Sequence, residues 1–170
     1  MRDGSPKSRP DPVSKSHQRA IELLTERTAL GTWHRRWLYA ALAFAWTTGA
    51  LWVFAHFALG TGPNGERHPL EAWALKLHGA GAFAFLVALG SMFAQHIPRA
   101  WYLGRNIASG VSALIVAAFL IATGYALYYF ALEDAHAIVS TLHWSVGLAA
   151  IALFWAHVAI GRRGGRPRPA

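Results

Sequence analysis

The sequence predicts an all-α integral membrane protein, a four-helix bundle preceded by a short N-terminal amphipathic helix. Of its 170 residues, 54% are apolar and only 14% are charged, a balance typical of membrane proteins. Four apolar segments each exceed the roughly 20 residues that a helix needs to cross a bilayer, at positions 37–59, 72–97, 107–131 and 137–160. These observations predict four transmembrane helices.

The segments outside the spans are short and polar. Residues 1–15 are rich in proline, serine and charged side chains, which predicts a disordered cytoplasmic tail. Residues 16–31 place apolar side chains on one face, which predicts an amphipathic helix on the membrane surface. Residues 32–163 are then the four-span domain, and residues 164–170 are a basic cytoplasmic tail. The connector at 60–69, rich in Gly and Pro, predicts a turn outside the membrane.

The basic residues predict the orientation of the chain. Of sixteen Lys and Arg residues, eight precede the first span, two follow the second and four follow the fourth. By the positive-inside rule, both termini are predicted to be cytoplasmic, and the expected location is a bacterial inner membrane. This topology and anionic lipid account for the net charge of +8, so no nucleic-acid binding is predicted. Aromatic residues near the span ends are expected to be interfacial anchors, namely Trp33, Trp37, Trp73, Trp101, Tyr128 and Tyr129.

Two spans each carry two histidines in helical phase. His143 and His157 are 14 residues apart, so both point the same way from one helix, about 21 Å apart along its axis. His78 and His96 are 18 residues apart on the second span, which is five whole turns. Ionisable side chains inside a membrane usually mark function. The depths pair His78 with His143 near the outer boundary and His96 with His157 near the inner one.

Paired histidines favour haem over other groups. The chain has no cysteine, which excludes disulfides, iron–sulfur clusters and covalent haem attachment through thioethers. Zinc usually takes three or four ligands at one point, whereas these histidines are spread over two depths. Two neutral imidazoles fill both axial positions of a haem iron, so such a site transfers electrons without binding oxygen. Gly81 and Gly147, one turn from His78 and His143, leave room for a porphyrin or for close helix packing.

The ligand opposite His157 has alternatives. The gap from His78 to His96 is about 27 Å, so the helices must tilt or slide to bring both pairs level. Met92 follows His78 by 14 residues, the same spacing as between His143 and His157, so Met92 is one alternative ligand. His34, just before the first span, is another.

Three further groups of polar residues have open roles. His56 shares the depth of the outer pair, where it could replace a ligand, bond a haem propionate or contact a quinone. His136 is expected at the outer surface as a propionate or partner contact, or as a solvated residue. Four polar residues neighbour histidines in sequence and could orient the imidazole rings, namely Ser91, Gln95, Thr141 and Ser145.

The pattern resembles the four-helix di-haem membrane cytochromes b, the superfamily of the cytochrome b subunits of respiratory formate dehydrogenase and nickel–iron hydrogenase. The matching features are Leu77-His78 at the head of the second span, Asn106 with Thr123-Gly124 in the third, and the motif LHxxxGx9H over 142–157 in the fourth. The resemblance covers residues 34–163.

The resemblance implies that the positions of His78 and His143 bind the outer haem and that of His157 the inner one. The fourth ligand of that superfamily corresponds to His34. Here, however, Arg35 replaces the tryptophan that follows it there, and His96 lies in helical phase with His78, so His96 is the preferred ligand.

The predicted function is electron transfer by two b haems, between the quinone pool and a redox partner. That partner is a periplasmic c-type cytochrome or an enzyme subunit, and the chain itself is a carrier. One alternative is a structural or assembly subunit of a larger membrane complex, without redox cycling. Another is a histidine-based carrier of metal ions or protons.

Overall fold

Four long helices make up most of the part of the chain that the structure describes. The computed structural model describes residues 31–102, 104, 106–130 and 134–163. The helices are α1 (Thr32–Ala58), α2 (Pro69–Tyr102), α3 (Ile107–Tyr129) and α4 (His136–Arg163). All four are long and apolar enough to cross a membrane, which confirms the predicted all-α architecture. The predicted tails, and the predicted surface helix apart from its last residue, lie outside the described residues.

The connectors define two ends of the bundle. We call the end with connectors 59–68 and 130–135 the distal end, and the end with the first residues of α1 and the last of α4 the terminal end. At the distal end, an isolated antiparallel bridge pairs Thr61 with Arg67. At the terminal end, Asn106 has φ 55° just before α3 begins, a left-handed conformation that Asn tolerates better than most residues.

The first hairpin is packed through small residues. Helix α1 packs along α2, and the buried side chains recur every seven residues, a spacing that keeps one seam facing its partner. A Cβ added at Gly81 would lie 3.0 Å from the Cα of Ala45, so the two backbones are nearly in contact. The repeating positions are Ala41, Thr48 and Ala55 on α1, and Ala74, Gly81 and Ala88 on α2.

The second hairpin uses the same spacing with a different partner. Helices α3 and α4 pack together, and the small positions of α3 face histidines at both ends of the seam. An added Cβ would lie 3.2 Å from Cε1 of His143 at Gly124, and 3.6 Å from Cε1 of His157 at Gly110. Midway between them, the alanines of both helices are buried. The seam comprises Gly110, Ala117 and Gly124 on α3, and His157, Ala150 and His143 on α4.

The two hairpins meet through α1 and α4 and through rings of α2 and α4. Trp46 of α1 donates its indole N–H to the carbonyl of Leu148, at 3.3 Å. Mid-helix side chains face outward, with Phe83, Val87 and Ile115 exposed by 71%, 70% and 63%. An apolar surface of this kind suits contact with lipid. The six predicted aromatic anchors are also exposed.

Candidate functional site

Two histidines from different hairpins face each other near the distal end. The ring centroids of His78 on α2 and His143 on α4 are 6.1 Å apart, with an angle of 85° between the ring planes. Both side chains are partly buried. The structure thus brings together the two residues that the sequence paired at the outer level.

His78 is held through one ring nitrogen. Its Nδ1 lies 2.8 Å from the carbonyl oxygen of Ala45 on α1. Because a carbonyl only accepts, Nδ1 carries the proton and the lone pair of the neutral ring is on Nε2. A Cβ at Gly49 would lie 3.0 Å from the same Nδ1. Helix α1 therefore supplies both the acceptor and the space that orient this imidazole.

His143 is held in the same way by a hydroxyl. Its Nδ1 lies 2.8 Å from Oγ1 of Thr123 on α3. The Thr123 hydroxyl donates its single proton to the carbonyl of Phe119, at 2.8 Å. It therefore accepts from Nδ1–H of His143, which leaves the lone pair of that ring on Nε2.

His157 repeats this arrangement toward the terminal end. Its Nδ1 lies 3.0 Å from Oγ of Ser109, which donates to the carbonyl of Asn106 at 3.1 Å. A hydroxyl residue followed by glycine thus occurs twice on α3, at 109–110 and 123–124, with the same 14-residue spacing as the two histidines of α4.

Two of the hydroxyl residues expected to orient the rings form hydrogen bonds within their own helices. Ser91 and Ser145 donate to the carbonyls of Ala88 and Leu142 on their own helices. The acceptors that hold the histidines lie on the neighbouring helices, which sequence proximity does not reveal. The matching 14-residue spacing of α3 and α4 is the signal that could have identified Ser109 and Thr123.

The centroid distance of the distal pair, 6.1 Å, is close to that of two imidazoles bound across one metal ion. A metal–imidazole bond is about 2.0 Å and the nitrogen lies about 1.1 Å from the ring centre, so two rings across one ion have centroids about 6 Å apart. Within the described part of the chain, no three His, Cys, Asp or Glu residues converge.

Ring contacts between α2 and α4 show which of their residues lie at the same depth in the bundle. In both contacts between α2 and α4, the α4 residue follows its partner by 65 to 69 positions, so residues 88–92 are level with His157. His96 lies four to eight residues beyond that level, about 6–12 Å toward the terminal end. Met92 is nearer in level, and His34 is exposed at the start of α1. The pairing of His96 with His157 stays a prediction. The two contacts are His78–His143 and Phe85–Phe154.

The other distal histidines lie apart from the pair. His56 contacts Glu71 and Arg67 rather than His78 or His143. His136 is exposed at the start of α4. No family model, curated protein or solved structure matches this chain.

Proposed function

We propose that the chain is a membrane b-type cytochrome, an electron carrier whose distal haem is held by His78 and His143. The observation that carries this proposal is the facing pair of imidazoles, 6.1 Å apart, each with Nδ1 bonded to an acceptor on a neighbouring helix. Such bonds fix the tautomer of a metal-binding histidine and increase its basicity. Both Nε2 atoms would then be available to hold the haem iron.

The residues around the pair fit this group. Gly49 and Gly124 lie against the two rings, where an added Cβ would come within 3.0 Å of His78 and 3.2 Å of His143, so these glycines let both imidazoles pack closely on the neighbouring helices. The ligands are neutral and come from two rigid helices, which favours a site whose geometry changes little on reduction. Haem, when bound, supplies a one-electron iron couple. The chain's own residues hold the rings, set their protonation and limit the access of water.

A second haem is proposed at His157, whose Nδ1 is held by Ser109, with His96 as the opposite ligand. Phe85 and Phe154 are in ring contact at 6.3 Å, between the levels of His143 and His157. With two haems, the carrier would join the two faces of the membrane. Its proposed partners are the quinone pool and a periplasmic c-type cytochrome or enzyme subunit, with both chain termini in the cytoplasm.

Haem quantification of the purified chain tests this function. We expect a pyridine haemochrome spectrum with about two haem b per chain and two reversible midpoints in a redox titration. A ratio of one would remove one of the two haems, either the distal or the terminal one, from the proposal. A haem-replete preparation without b-type bands would refute it, and bound zinc or copper would favour a metal-ion carrier.

The substitution Thr123→Val is expected to weaken the distal haem. Valine keeps the shape of threonine but cannot accept the proton of His143 Nδ1, so the ring loses its fixed orientation. Loss of such a partner typically lowers affinity about 10- to 100-fold, which haem transfer to apomyoglobin would measure.

The matched control is Ser112→Ala, since among the described residues the exposed Ser112 hydroxyl bonds only to the carbonyl of Ala108 on its own helix. Equal rates of haem loss from both variants would contradict a role for Thr123.

A further inference from the structure

We propose that His56, Glu71 and Arg67 form a distal binding site for a quinone headgroup, with which His56 exchanges a proton. The inference rests on the proposed function for its electron acceptor. It concerns residues that the haem ligation does not use. The observation that supports it is that one ring nitrogen of His56 lies within hydrogen-bonding distance of both a carboxylate and a guanidinium.

Nδ1 of His56 lies 2.9 Å from Oε1 of Glu71 and 2.8 Å from Nη1 of Arg67. Glu71 as a carboxylate only accepts, and Arg67 only donates. One ring nitrogen either carries a proton or presents a lone pair, so it satisfies one of these partners at a time. The cluster therefore supports both tautomers of neutral His56.

The two tautomers match the two forms of a quinone. With Nδ1–H donating to Glu71, Nε2 presents a lone pair that accepts from a quinol hydroxyl. With Nδ1 accepting from Arg67, Nε2–H donates to a quinone carbonyl. Nε2 makes no hydrogen bond to the described residues, and the His56 side chain is 26% exposed. One ring can thus bind the reduced and the oxidised headgroup.

The surroundings of His56 suit a flat aromatic ligand. Trp52 stacks on the imidazole with centroids 4.8 Å apart, and Phe57 meets it edge-on at 4.7 Å. Phe57 in turn contacts Trp144 of α4, at 5.8 Å. Aromatic side chains with a few placed polar groups are typical of small-molecule sites.

Glu71 can take the proton onward. Its Oε2 is buried and has no hydrogen-bond partner among the described residues, and a buried polar atom of this kind calls for an explanation. A proton passed from Nδ1 of His56 to Oε1 would neutralise this carboxylate and so remove the cost of burying its charge. Arg67, whose side chain is 57% exposed, connects the cluster to water at the distal end.

The redox step balances with these groups. One quinol O–H bond breaks, the proton binds Nε2 of His56, and one electron leaves to the one-electron carrier held by His78 and His143. The proton passes through Glu71 to water, and a second round converts the headgroup to quinone. In total, two protons and two electrons leave per quinol. Glu71 is seven residues from His78 on α2, about 10 Å along the helix.

Reduction by two donors tests the proposal. Menadiol must release protons, whereas dithionite reduces haem without this site, so we compare both rates in the haem-loaded full chain. His56→Phe and Glu71→Gln should each slow reduction by menadiol about a hundredfold, with haem content and the dithionite rate unchanged. The matched control is His68→Phe, the same change at an exposed connector residue whose Nδ1 contacts the backbone N–H of Leu70.

Rates within twofold of wild type in both cluster variants would overturn the proposal, as would a wild-type chain that dithionite reduces and menadiol does not. Should His56→Phe fail to fold, Glu71→Gln decides the same question.

A binding measurement separates this inference from the proposed function. Menadione quenching of tryptophan fluorescence needs no haem, and loss of one hydrogen bond in His56→Phe should weaken binding about fivefold. A chain without haem would refute the proposed function, while this measurement would still test the site. Equal menadione affinity in wild type and His56→Phe would then overturn the site.

Discussion

We expect His143→Ala to lower the haem content of the purified chain from two to one, and His78→Ala to do the same. Each substitution removes one axial nitrogen of the same proposed centre, and the facing ring 6.1 Å away cannot fill both axial positions. Because the two residues serve one site, the double variant should lose no more haem than either single variant. Pyridine haemochrome quantification per chain provides the measurement.

His136→Ala is the control for these variants. His136 lies on the same helix and is exposed, so its removal should leave both haems in place. Retention of the full haem content by His78→Ala or His143→Ala would show that the facing pair is not a ligand pair.

We expect Gly81→Ala to push α1 away from α2 and so to destabilise the first hairpin. The new Cβ would lie 2.9 Å from Cδ1 of Phe44, 3.0 Å from Cα of Ala45 and 3.1 Å from its backbone N. The phenyl ring can rotate away, but the backbone of Ala45 can move only with α1. Overpacking of this kind costs about 1–3 kcal/mol. The carbonyl of Ala45 would also shift relative to His78, so we expect lower stability in detergent and weaker retention of the distal haem.

The comparison variant is Gly90→Ala, on the same helix, where an added Cβ meets nothing within 4 Å. Alanine favours helix over glycine by about 1 kcal/mol, so this variant should be as stable as wild type or more so. Thermal unfolding followed by circular dichroism distinguishes the two. Equal unfolding temperatures would mean that the α1–α2 seam yields more easily than its geometry indicates.

The helices were predictable because hydropathy reports the burial of a span in hydrocarbon. Their ends were not, since helix continues beyond the apolar core. Helix α1 begins at Thr32, five residues before the predicted span, and includes the polar residues 34–36. Helix α2 continues through Pro98 to Tyr102, although proline removes one backbone donor.

The pair of His78 and His143 was predictable from histidine spacing. The hydrogen-bond acceptors that hold the two rings were less predictable. The acceptor for His78 is a backbone carbonyl, that of Ala45, and every residue has one, so no sequence signature marks it. Thr123 does have a signature, in its 14-residue repeat with Ser109. The sharing of His56 Nδ1 depends on how connector 59–68 folds back on α1, which the sequence pattern does not show.

The α3–α4 seam also specifies which turn of one helix meets which turn of the other. A slide of one heptad would place the His143 ring against Ala117, whose methyl group occupies the space that glycine leaves at 124. The slide would also place Val116 beside Nδ1–H of His143, and a valine side chain cannot accept a hydrogen bond. Both penalties arise from the same shift, so the large–small pattern discriminates against a misaligned hairpin. The residues that hold the imidazoles thereby also guide the assembly of the two helices.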